Sequence, residues 1–132
     1  MQETVFTRII NGEIPCHKIF EDAQTFAFLD IYPVQPGHTL VIPKKQVRFV
    51  WDLEDDDYRA LMETVRRVAH QLRTVLKPGF VGEIIEGIEI PHAHVKLIPF
   101  TSVDQFRRLP DGLAEPNHEE LAAMATRLAF GD

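Results

Sequence analysis

The stretch Pro91-His92-Ala93-His94-Val95-Lys96-Leu97-Ile98-Pro99-Phe100 constrains the fold more than any other. On a strand, successive side chains point to opposite faces, so His92, His94 and Lys96 share one face while Ala93, Val95 and Leu97 share the other. Such a strand must be covered on its apolar face by a core and must offer its polar face a partner. Phosphate is the partner that two imidazoles and an ammonium suit best.

The rest of the chain supplies that core. Tyr58, Leu61, Met62, Val65, Val68, Ala69, Leu72, Val75 and Leu76 fall at steps of three and four, which predicts one long amphipathic helix. Glu54, Asp55, Asp56 and Asp57 open it and Arg66, Arg67, Arg73 and Lys77 follow, the order a helix macrodipole favours. Pro78-Gly79 ends it. Thr4 to Ile10 predicts a short helix stopped by Asn11-Gly12. Lys18–Phe20 and Thr25–Leu29 read as a hairpin, and His38–Ile42 as a strand closed by Pro43. Phe80 to Glu89 reads as a further strand with Ile84, Ile85, Ile88 and Ile90 packing, in which Gly82 and Gly87 mark a bulge or a close backbone approach. Thr101 to Pro116 reads as irregular, and Asn117 with Glu120 three residues on opens a terminal helix over about 117–130 whose stripe is Leu121, Met124, Ala125 and Leu128. The expected architecture is α+β: one antiparallel sheet with helices packed on one side.

Bulk properties narrow the function classes. The 132 residues fit a single domain, and no apolar run approaches the length of a membrane helix. Neither a basic n-region nor a long apolar h-region follows Met1, and the lone Cys16 forms no internal disulfide, so a soluble, cytoplasmic protein is expected. A net charge of −6 argues against nucleic acid or an anionic membrane as partner. A focused His and Lys cluster still binds one small anion. Locally, a His-x-His pair has three readings: imidazoles satisfied by backbone, metal ligands, or a nucleophile with a supporting acid or base. No Cys-x-x-Cys or second His-x-His accompanies it. His17, His70 and His118 sit in loop or helix contexts without a role of their own.

Several separated segments together resemble the histidine triad family of nucleotide hydrolases and transferases. They are Ile9-Ile10-Asn11-Gly12-Glu13-Ile14-Pro15, Phe28-Leu29-Asp30-Ile31, Pro36-Gly37-His38-Thr39-Leu40-Val41-Ile42-Pro43-Lys44-Lys45 and the His92 stretch, in matching order over most of residues 4 to 100. The resemblance implies a histidine triad-like fold over residues 1–132 and homodimerisation, to which the long helix and Trp51 can contribute. Its implied substrate is a purine nucleoside monophosphate joined to an amine, a phosphate or another adenylate. His94 would attack the α-phosphorus and carry the nucleotide before water or another acceptor takes it. His92, Lys96 and His38 would orient or stabilise, Asp30 would bind the ribose hydroxyls, and Phe6, Ile9, Phe28, Leu29 and Ile31 would line the base pocket. A nucleotide-binding or sensing protein with weak turnover is the alternative.

Three departures from the family pattern accompany the resemblance. Lys96 stands where a third histidine is usual; it offers charge and donors but no acceptor for an imidazole relay. Gly87 fits the segment before the signature, whereas Glu89 replaces a common hydroxyl. At the positions where some bacterial relatives hold zinc stand Thr4, Thr7 and Gln46, so no metal or other cofactor is expected.

Overall fold

The computed structural model describes residues 2–131. Five antiparallel strands form one sheet in the order β1-β2-β3-β5-β4: β1 Lys18–Glu21, β2 Thr25–Leu29, β3 Thr39–Pro43, β4 Phe80–Ile84 and β5 Val95–Phe100. Four helices accompany it: α1 Val5–Ile10, α2 Asp55–Leu76, α3 Val103–Phe106 and α4 His118–Leu128. Among the described residues no helix is long and apolar enough to cross a membrane.

Strand alternation divides the molecule into two apolar layers. Ala27, Leu29, Val41, Val95 and Leu97 face α2 and α4 and meet Leu61, Val65, Val68, Leu72, Leu121 and Leu128 in the larger core. Phe26, Phe28, Leu40 and Ile42 face the other way, where Phe6 of α1 covers them. One short helix therefore lies across the sheet from the two long ones, and helices do not all gather on a single side. Each fully buried leucine of α2 stabilises the packing by about 2 kcal/mol.

Helix α2 follows its predicted stripe with two differences. Tyr58 is largely exposed, while Thr64 is buried because its hydroxyl pairs with that of Thr25 at 2.7 Å. The helix ends where Lys77 turns left-handed at φ 51°, ahead of Pro78-Gly79. At the terminal helix, Asn117 caps α4 by accepting from the Glu120 N–H at 3.1 Å.

Two further expectations need correction, and the two alternatives for Gly82 separate. Strand β4 stops at Ile84, since Gly87 turns the chain at φ +75° and carries residues 85–90 away from the ladder; Ile88 is exposed. Gly82 is a close approach rather than a bulge, because the ring of Phe106 lies against its α-carbon and leaves no room for a side chain. Phe106 is placed there by α3, a four-residue helix inside the segment read as irregular. Its sequence signal is the capping box of Ser102 and Gln105.

Candidate active site

The site lies on the α1 face of the sheet. Adjacent strands place Phe28 and Asp30, then His38 and Leu40, then Lys96 side by side, with Leu40 and Lys96 directly opposite in the β3–β5 register. His92 and His94 precede β5 instead of lying in it, as the strand begins at Val95. The loop is pinned: His92 N–H donates to the Ile90 carbonyl at 2.8 Å and Ala93 N–H to the Val47 carbonyl at 2.6 Å. Those bonds replace the ladder, yet the alternation of faces persists. Ala93 enters the larger core, while the His92 and His94 rings meet the Phe6 ring edge-on at centroid distances of 5.7 and 5.3 Å.

Both ring nitrogens of His92 are engaged. Nε2–H donates to the Pro43 carbonyl at 2.8 Å, which leaves Nδ1 as the acceptor for the Thr4 hydroxyl at 2.9 Å. Burial pushes the imidazole below its ordinary pKa, partly offset by the Pro43 carbonyl, and the charge of a protonated His94 would lower it further. Thr4 belongs to a larger cluster. Gln46 Oε1 accepts from the Thr4 N–H at 2.9 Å and the Thr7 hydroxyl at 2.6 Å, and Thr4 Oγ1 accepts the Thr7 N–H as the cap of α1. At the three positions read as lacking metal-ligand chemistry, the Thr4 and Thr7 hydroxyls thus gather at His92 and the Gln46 carboxamide ties the two threonines together. That donor set is one zinc seldom chooses, and it joins α1 to the loop carrying His94.

This anchoring reaches His94 through one atom. The carbonyl oxygen of His92 accepts the His94 Nδ1–H at 2.8 Å, which fixes the tautomer and leaves the lone pair on Nε2. His94 Nε2 is 3.9 Å from Glu89 Oε2. An imidazole with one nitrogen committed as donor to backbone and the other carrying a lone pair is arranged to attack an electrophile.

Lys96 stands beside it, buried apart from about 10% of its side chain. Its ammonium donates to Glu86 Oε1 at 2.6 Å and lies 3.3–3.4 Å from both Glu89 oxygens. Burial by itself would lower its pKa; the hydrogen bonds and charges of Glu86 and Glu89 outweigh that and hold the ammonium above the ordinary lysine value. The family pattern marks Glu89 in the sequence, whereas nothing in it marks Glu86. The available signal was Gly87, which folds both carboxylates back over β5.

His38 and Asp30 complete the row. Val34 N–H donates to His38 Nδ1 at 3.1 Å, so Nε2 bears the proton, and it is the buried side-chain nitrogen without a hydrogen-bond partner among the described residues. Asp30 Oδ2 lies 3.6 Å from it, too long for a hydrogen bond, while Oδ1 accepts the Tyr32 N–H at 2.8 Å and caps the turn. Burial lowers the His38 pKa; Asp30 opposes that and the Lys96 charge reinforces it. Gly37, at φ +91°, makes the turn possible, and a β-carbon there would sit 2.7 Å from Leu76 Cδ1.

Of the apolar residues expected around a base, Phe6, Ile9 and Phe28 share this face with the histidines. Leu29 and Ile31 pack instead with the α2 core, as their opposite parity on the strand requires. Leu29 also borders a cavity of about 560 Å³ between the 33–37 turn and α4, which touches the row of polar residues only through His38.

An α+β sheet here presents an oriented imidazole next to a buried ammonium. Comparison with known proteins gives it a family. The HIT domain profile matches residues 11–103. An uncharacterized HIT-like protein of Methanocaldococcus jannaschii is 38% identical over 102 residues, spanning 72% of this chain and 77% of that protein. Adenosine 5′-monophosphoramidase of Schizosaccharomyces pombe is 34% identical over 99 residues, 72% of either chain. The crystal structure of a HIT-like protein involved in cell-cycle regulation from Bartonella henselae superposes with a TM-score of 0.82 at 26% identity, covering 96% of this chain and 94% of that one. The chain belongs to the histidine triad (HIT) family, whose members are often nucleotide hydrolases.

Proposed function

We propose that this protein is a nucleotide hydrolase or nucleotidyl transferase that cleaves purine nucleoside monophosphate conjugates through a nucleotidyl-His94 intermediate. The observation that carries the reading is the 2.8 Å bond from His94 Nδ1–H to the His92 carbonyl, which frees Nε2 as nucleophile. Nε2 donates its lone pair to the α-phosphorus. The bond from phosphorus to the leaving group breaks, and an amine leaving group departs with a proton drawn from solvent. Water then attacks phosphorus and gives one proton to solvent, the P–Nε2 bond breaks, and the nucleoside monophosphate leaves with the neutral imidazole restored. Two displacements replace one, each with a lower barrier.

His92 is a positioning residue in this scheme, since both its nitrogens are engaged and only its carbonyl acts on His94. Lys96 and the Nε2–H of His38 are donors toward phosphoryl oxygens. Phe6, Ile9 and Phe28 supply an apolar wall for the base, and Asp30 keeps Oδ2 as an acceptor for ribose hydroxyls. The relative named adenosine 5′-monophosphoramidase adds weight to a phosphoramidate substrate.

Steady-state hydrolysis of adenosine 5′-phosphoramidate tests the reading. Wild type should release AMP, and His94→Ala should lose about 10³-fold or more in kcat/KM while still binding AMP by calorimetry. The second reading, a nucleotide binder with weak turnover, is favoured by the pairing of Lys96 with Glu86 and Glu89. AMP binding by both proteins with equal, negligible hydrolysis would select it.

A further inference from the structure

We infer that Glu86 and Glu89 are specificity-determining residues that make the site a charge filter, admitting conjugates with neutral or cationic leaving groups and turning away polyanionic ones. The inference rests on the nucleotidyl-transfer reading above and adds to it which leaving groups this chain accepts.

Position is the first step. An attacked phosphorus must come to about 3–3.5 Å from His94 Nε2. Glu89 Oε2 stands 3.9 Å from that nitrogen and 3.3 Å from Lys96 Nζ, so the carboxylate holds the volume that a phosphoryl oxygen needs. A substrate therefore replaces Glu89 on the ammonium. The side chain of Glu89, 56% exposed, is free to swing outward on the loop turned by Gly87. Glu86 holds Lys96 at 2.6 Å and stays.

Charge is the second step. One ammonium faces two carboxylates, and an α-phosphate adds a further negative charge. Lys44 pairs with Glu21 at 2.8 Å and Lys45 with Asp57 at 3.3 Å, while the Arg48 guanidinium is held over the Phe49 ring, beside the small pocket that Glu86 and His94 also line. Negative charge on the leaving group is thus opposed by the displaced Glu89. Positive charge there is attracted to it. At the separations involved, each unit of leaving-group charge should change kcat/KM about three- to tenfold at low salt, and less as salt screens the exposed carboxylate.

Three AMP phosphoramidates with the same P–N bond isolate the effect: conjugates of 1,4-diaminobutane, n-butylamine and 4-aminobutyrate, whose far ends are cationic, neutral and anionic. Wild type should prefer them in that order. Glu86→Gln/Glu89→Gln should flatten the series and bind AMP several-fold more tightly, whereas Glu83→Gln, on the exposed stretch of β4, should leave the gradient unchanged. A flat series in wild type, or a gradient that survives in the double variant, overturns the inference while leaving nucleotidyl transfer intact. Failure of all three conjugates to react overturns both.

Discussion

Thr4 is the residue whose role is least obvious and most testable. Its hydroxyl satisfies Nδ1 of a fully buried histidine, and that histidine's carbonyl holds the nucleophile. Thr4→Val removes that donor, leaves His92 Nδ1 only the Thr7 hydroxyl at 3.4 Å at a cost of about 1–3 kcal/mol, and frees the ring to change tautomer. We predict that kcat falls about tenfold with little change in KM, that the ¹⁵N shifts of His92 report the altered tautomer, and that Thr4→Ser restores both. Unchanged ¹⁵N shifts with normal kcat would show that the hydroxyl only caps α1. At this scale the sequence was informative where geometry is periodic. Alternation placed His92, His94 and Lys96 together, and the same parity puts Leu29 with the other core. Ion-pair partners were not legible, because Glu86 meets Lys96 only through the turn at Gly87, a loop conformation that no periodicity encodes.

At the scale of elements, the C-terminus of α2 carries a measurable strain. Lys77 adopts φ 51°, a left-handed conformation that suits glycine because a β-carbon crowds the following carbonyl. Lys77→Gly should raise stability by about 0.5–1 kcal/mol in urea unfolding; a lower midpoint would show that the lysine side chain contributes more than its backbone costs. Gly37→Ala should act in the opposite direction, lowering stability by about 1–3 kcal/mol, since the new β-carbon is forced against Leu76 in a backbone region alanine avoids. Long α2 was readable because its stripe repeats over many turns. Short α3 was not, although Ser102 and Gln105 carried its signal. The early end of β4 and late start of β5 share one cause: the 85–94 segment turns at Gly87 and bonds to the Val47 carbonyl and within itself instead of extending the ladder.

For the whole molecule, three histidines set a common pH dependence. His17, His38 and His92 all lie below their ordinary value of 6.5, burial being the leading cause in each case. A depressed histidine pKa means that the unfolded chain binds more protons, so stability rises with pH across the window. For the buried His38 and His92 this contribution is complete above about pH 6.5–7 and is lost as pH falls through the folded-state values, with a slope of up to about 1.4 kcal/mol per pH unit per proton, while the largely solvated His17 adds little. Urea midpoints at pH 7.5, 6.5 and 5.5 should decline in that order; a midpoint that rises on acidification would contradict it. Homodimerisation, implied by the family resemblance, is a separate expectation at this scale. Trp51 is 69% exposed just ahead of α2, and Trp51→Glu should convert a sedimenting dimer into a 15.1 kDa monomer.

Everything proposed for this protein passes through a covalent bond to one nitrogen. The direct measurement is intact-protein mass spectrometry after brief reaction with adenosine 5′-phosphoramidate and rapid acid-free quench, followed by peptide mapping. The expected result is a transient gain of one AMP moiety, mapped to His94 and absent from His94→Ala. AMP release with no adduct at any time, or an adduct on another residue, would contradict it.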